Sequence, residues 1–375
     1  MAKLGEVCEV SPSTKNIERQ GAWLLNLDMV EQQTGRVIEY KYVGEDDLNG
    51  SIIQFDTENV LYSKLRPNLN KVVLPQKDGF STSELLPLRP DARVLNRDYL
   101  AVFLRSDSFV TWAVSKTAGA KMPRLGTKDL MSAEIPVPTI EQQKKIAEKF
   151  KKLEQLISLR KQQLAKLNEL VKAQFANTFE NDADFHTDYM ENLSEFVTVG
   201  IANSATHAYA EHGVVMLRNQ NIKENHLDDT ELVYIEPKFA DKYKSKKLEA
   251  NDILVTRTGY PGIACVVPQK YAGSQTFTTL IIRLKKETSV SSCYICHYIN
   301  SSHGKKYVSG TKVGVAQQNF GAKVLAKMPV IVPPIELQNQ FATFVARIDQ
   351  QKQTVQQSLE KLELMKKALM QEYFG

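Results

Sequence analysis

The chain has 375 residues, of which 42% are hydrophobic and 24% are charged, and its formal net charge is +5. This length allows two domains with cores of their own, and the composition excludes a disordered or fibrous protein. No apolar run approaches the roughly 20 residues of a membrane-spanning helix. The first residues also lack the apolar segment of an export signal, so we expect a cytoplasmic protein.

Positive charge is concentrated in one segment. Residues 141–179 carry nine basic and four acidic side chains, whereas residues 1–140 carry 17 and 18. Net charge therefore neither requires nor excludes a nucleic-acid partner, and the local placement of basic side chains has to decide.

Residues 1–140 are rich in short β-like runs bounded by turn residues, at 7–10, 37–40, 51–55 and 71–74. A helix-like stretch at 99–105 follows, and then a polar loop that leads to a Val-Pro pair. The pattern predicts a compact α+β domain.

Residues 141–179 predict a long helix. Pro138 ends the preceding strand, and Glu141 lies in the first helical turn, where a negative charge suits the helix dipole. Apolar residues then recur with the 4-3-4 spacing of a coiled coil, broken only at Arg160: Ile146, Phe150, Leu153, Ile157, Leu164, Leu167 and Val171. The alternative is an amphipathic helix on a globular core. The narrow stripe and the helix length favour the coiled coil.

The second half of the chain repeats the first. A shift of 195 positions aligns 99–179 with 294–374 without a gap, and the motif from Val137 to Gln143 recurs from Val332 to Gln338. We therefore predict a second α+β domain over 180–335, with strands near 214–217, 253–256 and 279–282 and a helix near 294–300. A second long helix is predicted over 336–375, with a similar stripe broken at Lys352 and Lys366. The fold class is thus α+β: two similar domains and two long helices that pair as an antiparallel coiled coil about a pseudo-twofold axis.

Two polar segments recur at matching places in the two domains, and they are candidate DNA contacts. The first follows the central strand and contains Lys64, Arg66 and Lys71 in copy one, and Arg257 and Tyr260 in copy two. The second precedes the last strand and contains Lys116, Lys121 and Arg124, or Lys312, Gln317, Gln318 and Asn319. Copy two adds Arg218, Asn219 and Gln220 after a strand. Arg and Lys can bind guanine or phosphate, and Gln and Asn can pair with adenine. A solvated loop is an equal alternative for any single residue, but the recurrence favours binding.

Motifs of catalysis are missing from the sequence. It contains no glycine-rich phosphate loop, no Asn-Pro-Pro of an amino-methylating enzyme and no histidines at metal-ligand spacing. The run from Cys293 to His297 matches a haem-attachment pattern, but it lies in an apolar, helix-like stretch and is better interpreted as core cysteines. We predict a protein without catalytic residues, metal or cofactor.

Taken together, the sequence resembles the specificity subunits of type I restriction–modification systems over its full length. The resemblance depends on the motifs at 135–143 and 330–338, each followed by a long helix, and on the strand motifs at 60–72 and 255–262. It implies two target-recognition domains that each read one half of a bipartite site in double-stranded DNA. It also implies that the helices dock two methyltransferase subunits, which bind S-adenosylmethionine, and that restriction subunits, which hydrolyse ATP, complete the complex.

Partner docking is predicted for the basic face of the first helix, with Lys144, Lys145 and Lys149 as candidates. A solvated face or contact with DNA phosphates are the alternatives. The loop at 120–125 departs from the family pattern that copy two retains at 316–320. A rival function is a coiled-coil interaction protein whose globular domains bind protein, and DNA affinity would separate the two.

Overall fold

The computed structural model describes residues 1–48, 51–119, 121–180, 185–202, 206–310 and 320–375. The chain forms two compact units: unit 1 contains Met1–Gln162 and Gln356–Gly375, and unit 2 contains Gln163–Val355. Each unit thus combines one globular region with parts of both long helices. The division at residues 140, 179 and 335 stays a prediction.

The described residues of the globular part of unit 1 form ten short strands and four short α-helices, followed by a long helix that continues into unit 2. The strands are β1 (Ala2–Lys3), β2 (Cys8–Val10), β3 (Ala22–Leu25), β4 (Lys41–Val43), β5 (Ile52–Phe55), β6 (Val60–Ser63), β7 (Val72–Val73), β8 (Gly79–Thr82), β9 (Leu85–Pro90) and β10 (Glu134–Ile135). The helices are α1 (Leu4–Val7), α2 (Arg97–Leu104), α3 (Asp107–Ser115), α4 (Thr127–Met131) and α5 (Ile140–Phe175). The strands form an antiparallel sheet β2-β9-β6-β7, a mixed sheet β4-β3-β8-β5 and the pair β1-β10.

Unit 2 repeats this plan with an added hairpin. Its strands are β11 (His186–Tyr189), β12 (Ser194–Val199), β13 (Tyr209–Ala210), β14 (Val214–Leu217), β15 (Ile222–Lys223), β16 (His226–Leu227), β17 (Val233–Ile235), β18 (Ile253–Val255), β19 (Ala264–Val266), β20 (Gln275–Thr276), β21 (Leu280–Leu284) and β22 (Pro329–Val332). Its helices are α6 (Met190–Leu193), α7 (Pro237–Lys242), α8 (Ser292–Asn300), α9 (Ser302–Gly310), α10 (Ala322–Ala326) and α11 (Ile335–Phe374), and α11 ends in unit 1. The sheets are β12-β21-β18-β19, β13-β17-β14-β20, the pair β11-β22 and the hairpin β15-β16.

Helices α5 and α11 pair antiparallel inside each unit. In unit 1, Lys149 donates to the Tyr373 hydroxyl (3.0 Å) and Arg160 donates to Ser358 Oγ (3.2 Å), so residue numbers rise along one helix as they fall along the other. In unit 2, the ring of Phe175 meets that of Phe341 at 5.4 Å. The predicted antiparallel pairing is confirmed, and Arg160, which interrupts the apolar stripe, forms a polar contact between the helices.

Apolar burial joins each globular region to its helices. In unit 1, Phe150 of α5 and Phe374 of α11 belong to the same core as Tyr99 and the sheet residue Leu88. In unit 2, Phe175 and Phe341 share a core with Tyr294 and Ile282. Burying a large apolar side chain contributes about 1.5–3 kcal/mol, so these residues fix each globular region on its helix pair.

One glutamine at the start of each long helix fixes the same junction with three hydrogen bonds. Gln143 donates to the carbonyls of Val94 (2.9 Å) and Pro138 (2.8 Å) and accepts from the Asn96 N–H (2.8 Å). Gln338, 195 positions later, makes the same three bonds to Ser289, Pro333 and Ser291, at 2.8, 2.8 and 2.9 Å. Both glutamines are fully buried. The repeat is therefore reproduced in individual hydrogen bonds.

The predicted strand at 37–40 is wrong. Only Val37 forms an isolated bridge, with Val30, and the strand β4 begins at Lys41. Ile38 is 57% exposed, and the Tyr40 ring rests against the indole of Trp23 at 5.0 Å. The alternating residues therefore have no common buried face that would hold them in a sheet.

Within the described ranges, no helix is long and apolar enough to cross a membrane.

Candidate functional site

The two candidate segments of unit 1 meet at one place. Leu65 and Arg124 form an antiparallel bridge, the Arg66 N–H donates to the Pro123 carbonyl (2.8 Å), and the Leu125 N–H donates to the Lys64 carbonyl (2.9 Å). The structure thus joins the segment after strand β6 to the loop before α4. We call this pairing the joint of unit 1.

Unit 2 has the equivalent joint. The Phe320 N–H donates to the Arg257 carbonyl at 3.1 Å, and Phe320 lies 195 positions after Leu125. The predicted contact residues Lys312, Gln317, Gln318 and Asn319 lie outside the described residues.

At the joint of unit 1, the basic side chains differ in how they are held. Arg66, Lys116 and Lys121 are exposed, and no hydrogen bond or ion pair of their side chains occurs among the described residues. Arg124 is also exposed but pairs with Glu84 at 3.2 Å. The first three are therefore available to an anionic partner, whereas Arg124 would have to exchange Glu84 for it.

Lys71 is placed differently. Its ammonium donates to the carbonyl of Leu27 at 2.5 Å, and burial lowers the pKa of this lysine below its usual value. This hydrogen bond ties the end of the candidate segment 64–71 to the backbone at Leu27. It would have to break before Lys71 could reach DNA.

In unit 2, two predicted clusters converge. Asn219, which follows strand β14, donates from Nδ2 to the hydroxyl of Thr258 (2.9 Å) in the segment after β18. Arg218 donates to the Glu231 carbonyl (2.7 Å), and Gln220 lies 3.5 Å from the Glu231 carboxylate. Thr258 lies in the candidate run 257–262, whereas Glu231 could not be recognised from the sequence, because its role depends on contacts between distant segments.

Polar atoms in this cluster remain without partners. Nε of Arg218, Nε of Arg257 and Oδ1 of Asn219 are buried and make no hydrogen bond within the part of the chain that the structure describes. A buried polar group without a partner costs about 1–3 kcal/mol. The cluster therefore contains two donors and one acceptor whose hydrogen bonds are unmade among the described residues.

The segment from Arg257 to Gly262 projects a single aromatic side chain, Tyr260, which is 85% exposed. The loop beneath it is fixed because the Thr256 hydroxyl donates to the Tyr260 carbonyl (2.7 Å) and accepts from the Ile263 N–H (2.9 Å). Gly262 has a φ of +88°, and a Cβ there would lie 2.7 Å from a Val308 methyl group. A fixed loop presents Tyr260 to solvent, as a surface used for binding would.

The candidate docking lysines lie on the exposed face of α5. Lys145 pairs with Glu141 at 2.7 Å, and Lys149 donates to the Tyr373 hydroxyl and lies 5.6 Å from the centre of that ring. Lys144 is exposed and makes no ion pair within the described ranges. The three lysines are accessible, but two of them already have partners.

Groups of at least three metal-ligating side chains do not occur among the described residues. Burial raises the pKa of the Cys8 and Cys265 thiols to about 12, so neither is a reactive thiolate at neutral pH. Cys296 is buried in α8, in agreement with the interpretation as a core cysteine, whereas Cys293 is only half-buried. His297 is also buried, although histidines outside a metal site are expected at the surface. Burial, with Lys352 nearby, lowers the pKa of His297 to about 4.

A fold used twice, with different polar side chains at the same joint, is suited to the binding of a two-part target. The sequence profile of the type I restriction modification DNA specificity domain matches residues 1–169 and 192–364. The chain therefore belongs to the family of type I restriction–modification specificity proteins.

Curated relatives include specificity subunits from two organisms. The MjaVIII subunit of Methanocaldococcus jannaschii is 22% identical over 81% of this chain and 75% of its own length. The EcoDI subunit of Escherichia coli is 25% identical over 41% of this chain, and the match spans about a third (35%) of that relative. The EcoKI subunit is 21% identical over 70% of this chain and 60% of its own length.

Solved structures share the fold. The type I restriction–modification S subunit from M. genitalium has a TM-score of 0.60 at 13% identity, with 100% of this chain and 95% of that chain covered. A chain from a study of assembly and conformational transition of the type I R-M system has a TM-score of 0.63 at 14% identity, over 100% and 96%. These similarities agree with the predicted fold class.

Proposed function

We propose that this chain is the sequence-reading subunit of a cytoplasmic type I restriction–modification complex and binds a bipartite site in double-stranded DNA. Unit 1 would read one half-site with Lys64, Arg66, Lys116, Lys121 and Arg124, and with Lys71 once its contact to Leu27 is released. Unit 2 would read the other with Arg218, Asn219, Gln220, Arg257, Tyr260 and the loop that contains Lys312, Gln317, Gln318 and Asn319. The observation that carries the proposal is the joint, which occurs in both units with the same backbone hydrogen bond and different side chains.

Different side chains on one frame suit a split site whose halves differ in sequence. Unit 1 offers mainly Lys and Arg, which bind guanine edges or phosphates, whereas unit 2 adds Asn and Gln, which can pair with adenine.

The chain would direct methylation and cleavage without performing either reaction. Two methyltransferase subunits that bind S-adenosylmethionine would dock on α5 and α11, with restriction subunits that hydrolyse ATP joining them. Lys144, Lys145 and Lys149 are the proposed docking residues, because they are accessible and Lys144 makes no ion pair among the described residues.

Methylated adenines in host DNA, mapped with and without this gene, test the reading function. We expect a split motif to lose methylation in the deletion strain and to regain it on complementation. An unchanged methylation map, together with a purified complex that binds all DNA sequences equally, would favour the protein-binding alternative instead.

The docking residues are tested by reversing Lys144, Lys145 and Lys149 to Glu. We expect weaker assembly with the methyltransferase subunit, measured by sedimentation. Reversal of Lys238, Lys242 and Lys244, which are exposed in unit 2, makes the same charge change as a control. Unchanged assembly with an unchanged salt dependence of DNA binding would mean that the face is merely solvated.

A further inference from the structure

Arg105, at the C-terminal end of α2, contacts three separate parts of unit 1. Its guanidinium Nη1 lies 3.2 Å from Oε2 of Glu154 on α5 and donates to the Thr34 carbonyl at 3.0 Å. Its own carbonyl accepts from Nδ2 of Asn70 at 3.1 Å. The side chain is only 9% exposed. One residue therefore connects a long helix, the loop at 31–36 and the end of the candidate contact segment 64–71.

The loop at 31–36 itself holds that contact segment. The Gln33 N–H donates to the Leu69 carbonyl, and Gln33 Nε2 donates to the Asn68 carbonyl, both at 3.0 Å. Gly35 has a φ of +68°, and a Cβ there would lie 1.7 Å from the Val72 carbonyl oxygen. The loop is thus pressed against the contact segment, and Arg105 holds the loop through Thr34.

Glu154 is part of α5, contacts α11 through Lys366, and so links Arg105 to both long helices. Nζ of Lys366 on α11 lies 2.9 Å from Glu154 Oε1, while Nη1 of Arg105 lies 3.2 Å from Oε2 and 3.3 Å from Oε1. Burial opposes ionisation of Glu154, but attraction to Arg105 and Lys366 outweighs it and lowers the pKa of this carboxyl. A displacement of either helix here would therefore act on Arg105 directly.

Unit 2 lacks this connection among its described residues. Position 300, which corresponds to 105, is an asparagine that donates to Asn225 Oδ1 (2.7 Å) and the Ala264 carbonyl (2.8 Å). The counterpart of Glu154 is Asp349, which pairs with Lys352 on its own helix at 3.1 Å. Unit 2 instead uses Glu224, in the turn between β15 and β16, to hold Lys172 (2.8 Å) and Lys305 (2.7 Å).

We infer that Arg105 is a positioning residue that couples the helix pair to the contact segment 64–71, so that partner docking on the helices influences reading by unit 1 alone. This inference depends on the proposed function. Arg105 itself is too buried to contact DNA. It would therefore act on the discrimination between DNA sequences only through the position of the segment 64–71.

The test uses Glu154→Gln in the full complex and DNA duplexes with one base-pair change in either half-site. The unit 1 half-site is the one whose recognition changes with Arg66→Ala. We expect discrimination there to fall about fivefold to tenfold, while discrimination at the other half-site is unchanged. Arg105→Lys is a second variant. Lysine keeps the positive charge but cannot contact Glu154 and the Thr34 carbonyl at the same time, so we expect a smaller loss of discrimination at the same half-site.

Glu224→Gln is the matched control, because it removes a carboxylate that holds two lysines in unit 2. It should leave unit 1 discrimination unchanged. Equal loss at both half-sites, or no loss in either variant of the Arg105–Glu154 pair, would overturn the inference. If the proposed function itself is wrong, the wild-type complex binds all the duplexes equally. This result differs from every outcome that concerns Arg105 alone.

Discussion

Units 1 and 2 share the main sheet and its contacts with the long helices, which we call the frame, and they differ in the second sheet and the loops around it. Both have an antiparallel four-stranded sheet, a buried glutamine at the start of a long helix and a tyrosine, Tyr99 or Tyr294, that donates to a carbonyl before that helix at 2.9 or 2.7 Å. In the second sheet, β5 pairs with β8 in unit 1, whereas β13 pairs with β17 in unit 2. Unit 2 also adds the β15-β16 hairpin.

Positions that are the same in the two units and positions that differ have different physical roles. The constant contacts lie between the globular region and the helices, where several buried hydrogen bonds must be satisfied together. The variable ones lie in loops and edge strands, where a change of residue leaves few buried groups unpaired. Loops on a rigid frame can therefore change what they bind while the fold is retained.

The largest expected effect comes from the shared junction. Gln143→Ala and Gln338→Ala each leave a buried N–H and two carbonyls without partners, so each should destabilise its unit by about 3–5 kcal/mol. Urea unfolding with hydrogen exchange resolved by unit measures both. The exposed Gln353→Ala is the control and should change little. Losses below about 1 kcal/mol, or a loss in only one unit, would refute an equivalent role.

The next largest effect is a difference between the units in how their stability depends on pH. His297 is buried in unit 2, and the equivalent residue of unit 1 is Val102. Because the pKa of His297 is lowered to about 4 in the fold, the unfolded chain binds a proton first as pH falls from about 6.5. Unit 2 should therefore lose stability as pH falls from 6.5 to 4, by about 3 kcal/mol in all.

Hydrogen exchange in β18 and β21 at pH 7.5 and pH 5 measures this loss. The His297→Met variant removes the titrating group at similar volume, and its stability should change less between the two pH values. If wild type and variant lose the same amount, groups other than His297 are responsible.

A smaller effect is expected on the affinity of each unit for its half of the DNA site. Arg66→Ala should weaken recognition at one half-site, and Arg257→Ala or Gln318→Ala at the other, by about 1–3 kcal/mol per lost base contact. Binding to duplexes with single base-pair changes measures it, with the exposed Arg93→Ala as a control outside the joint. Equal weakening on every sequence would instead identify these residues as phosphate contacts.

Much of this frame could be predicted from the sequence, because the 195-residue repeat and the apolar stripes are local patterns. Helices predicted at 141–179 and 336–375 are observed at Ile140–Phe175 and Ile335–Phe374, within four residues at each end. The motif that contains Gln143 and Gln338 is visible in the alignment, although its hydrogen bonds are not.

Other features depend on contacts that no periodicity records. The hydrogen bond between Arg105 and Glu154 joins residues 49 positions apart. The ammonium group of Lys71 donates to the Leu27 carbonyl, 44 positions earlier in the chain, instead of being solvated. The β15-β16 hairpin has only two residues in each strand, too few for an alternating pattern. Polar side chains can be recognised as candidates from the sequence, but their partners are set by the folded chain.

The most direct test of separate reading by the two units is selection from randomised DNA duplexes by the assembled complex. The wild-type chain is compared with one in which Arg218, Asn219, Gln220 and Arg257 are replaced by Ala. We predict that the wild type selects a split motif and that the variant loses one half of it while the other half is retained. Loss of both halves together, or selection of no motif by the wild type, would contradict the account.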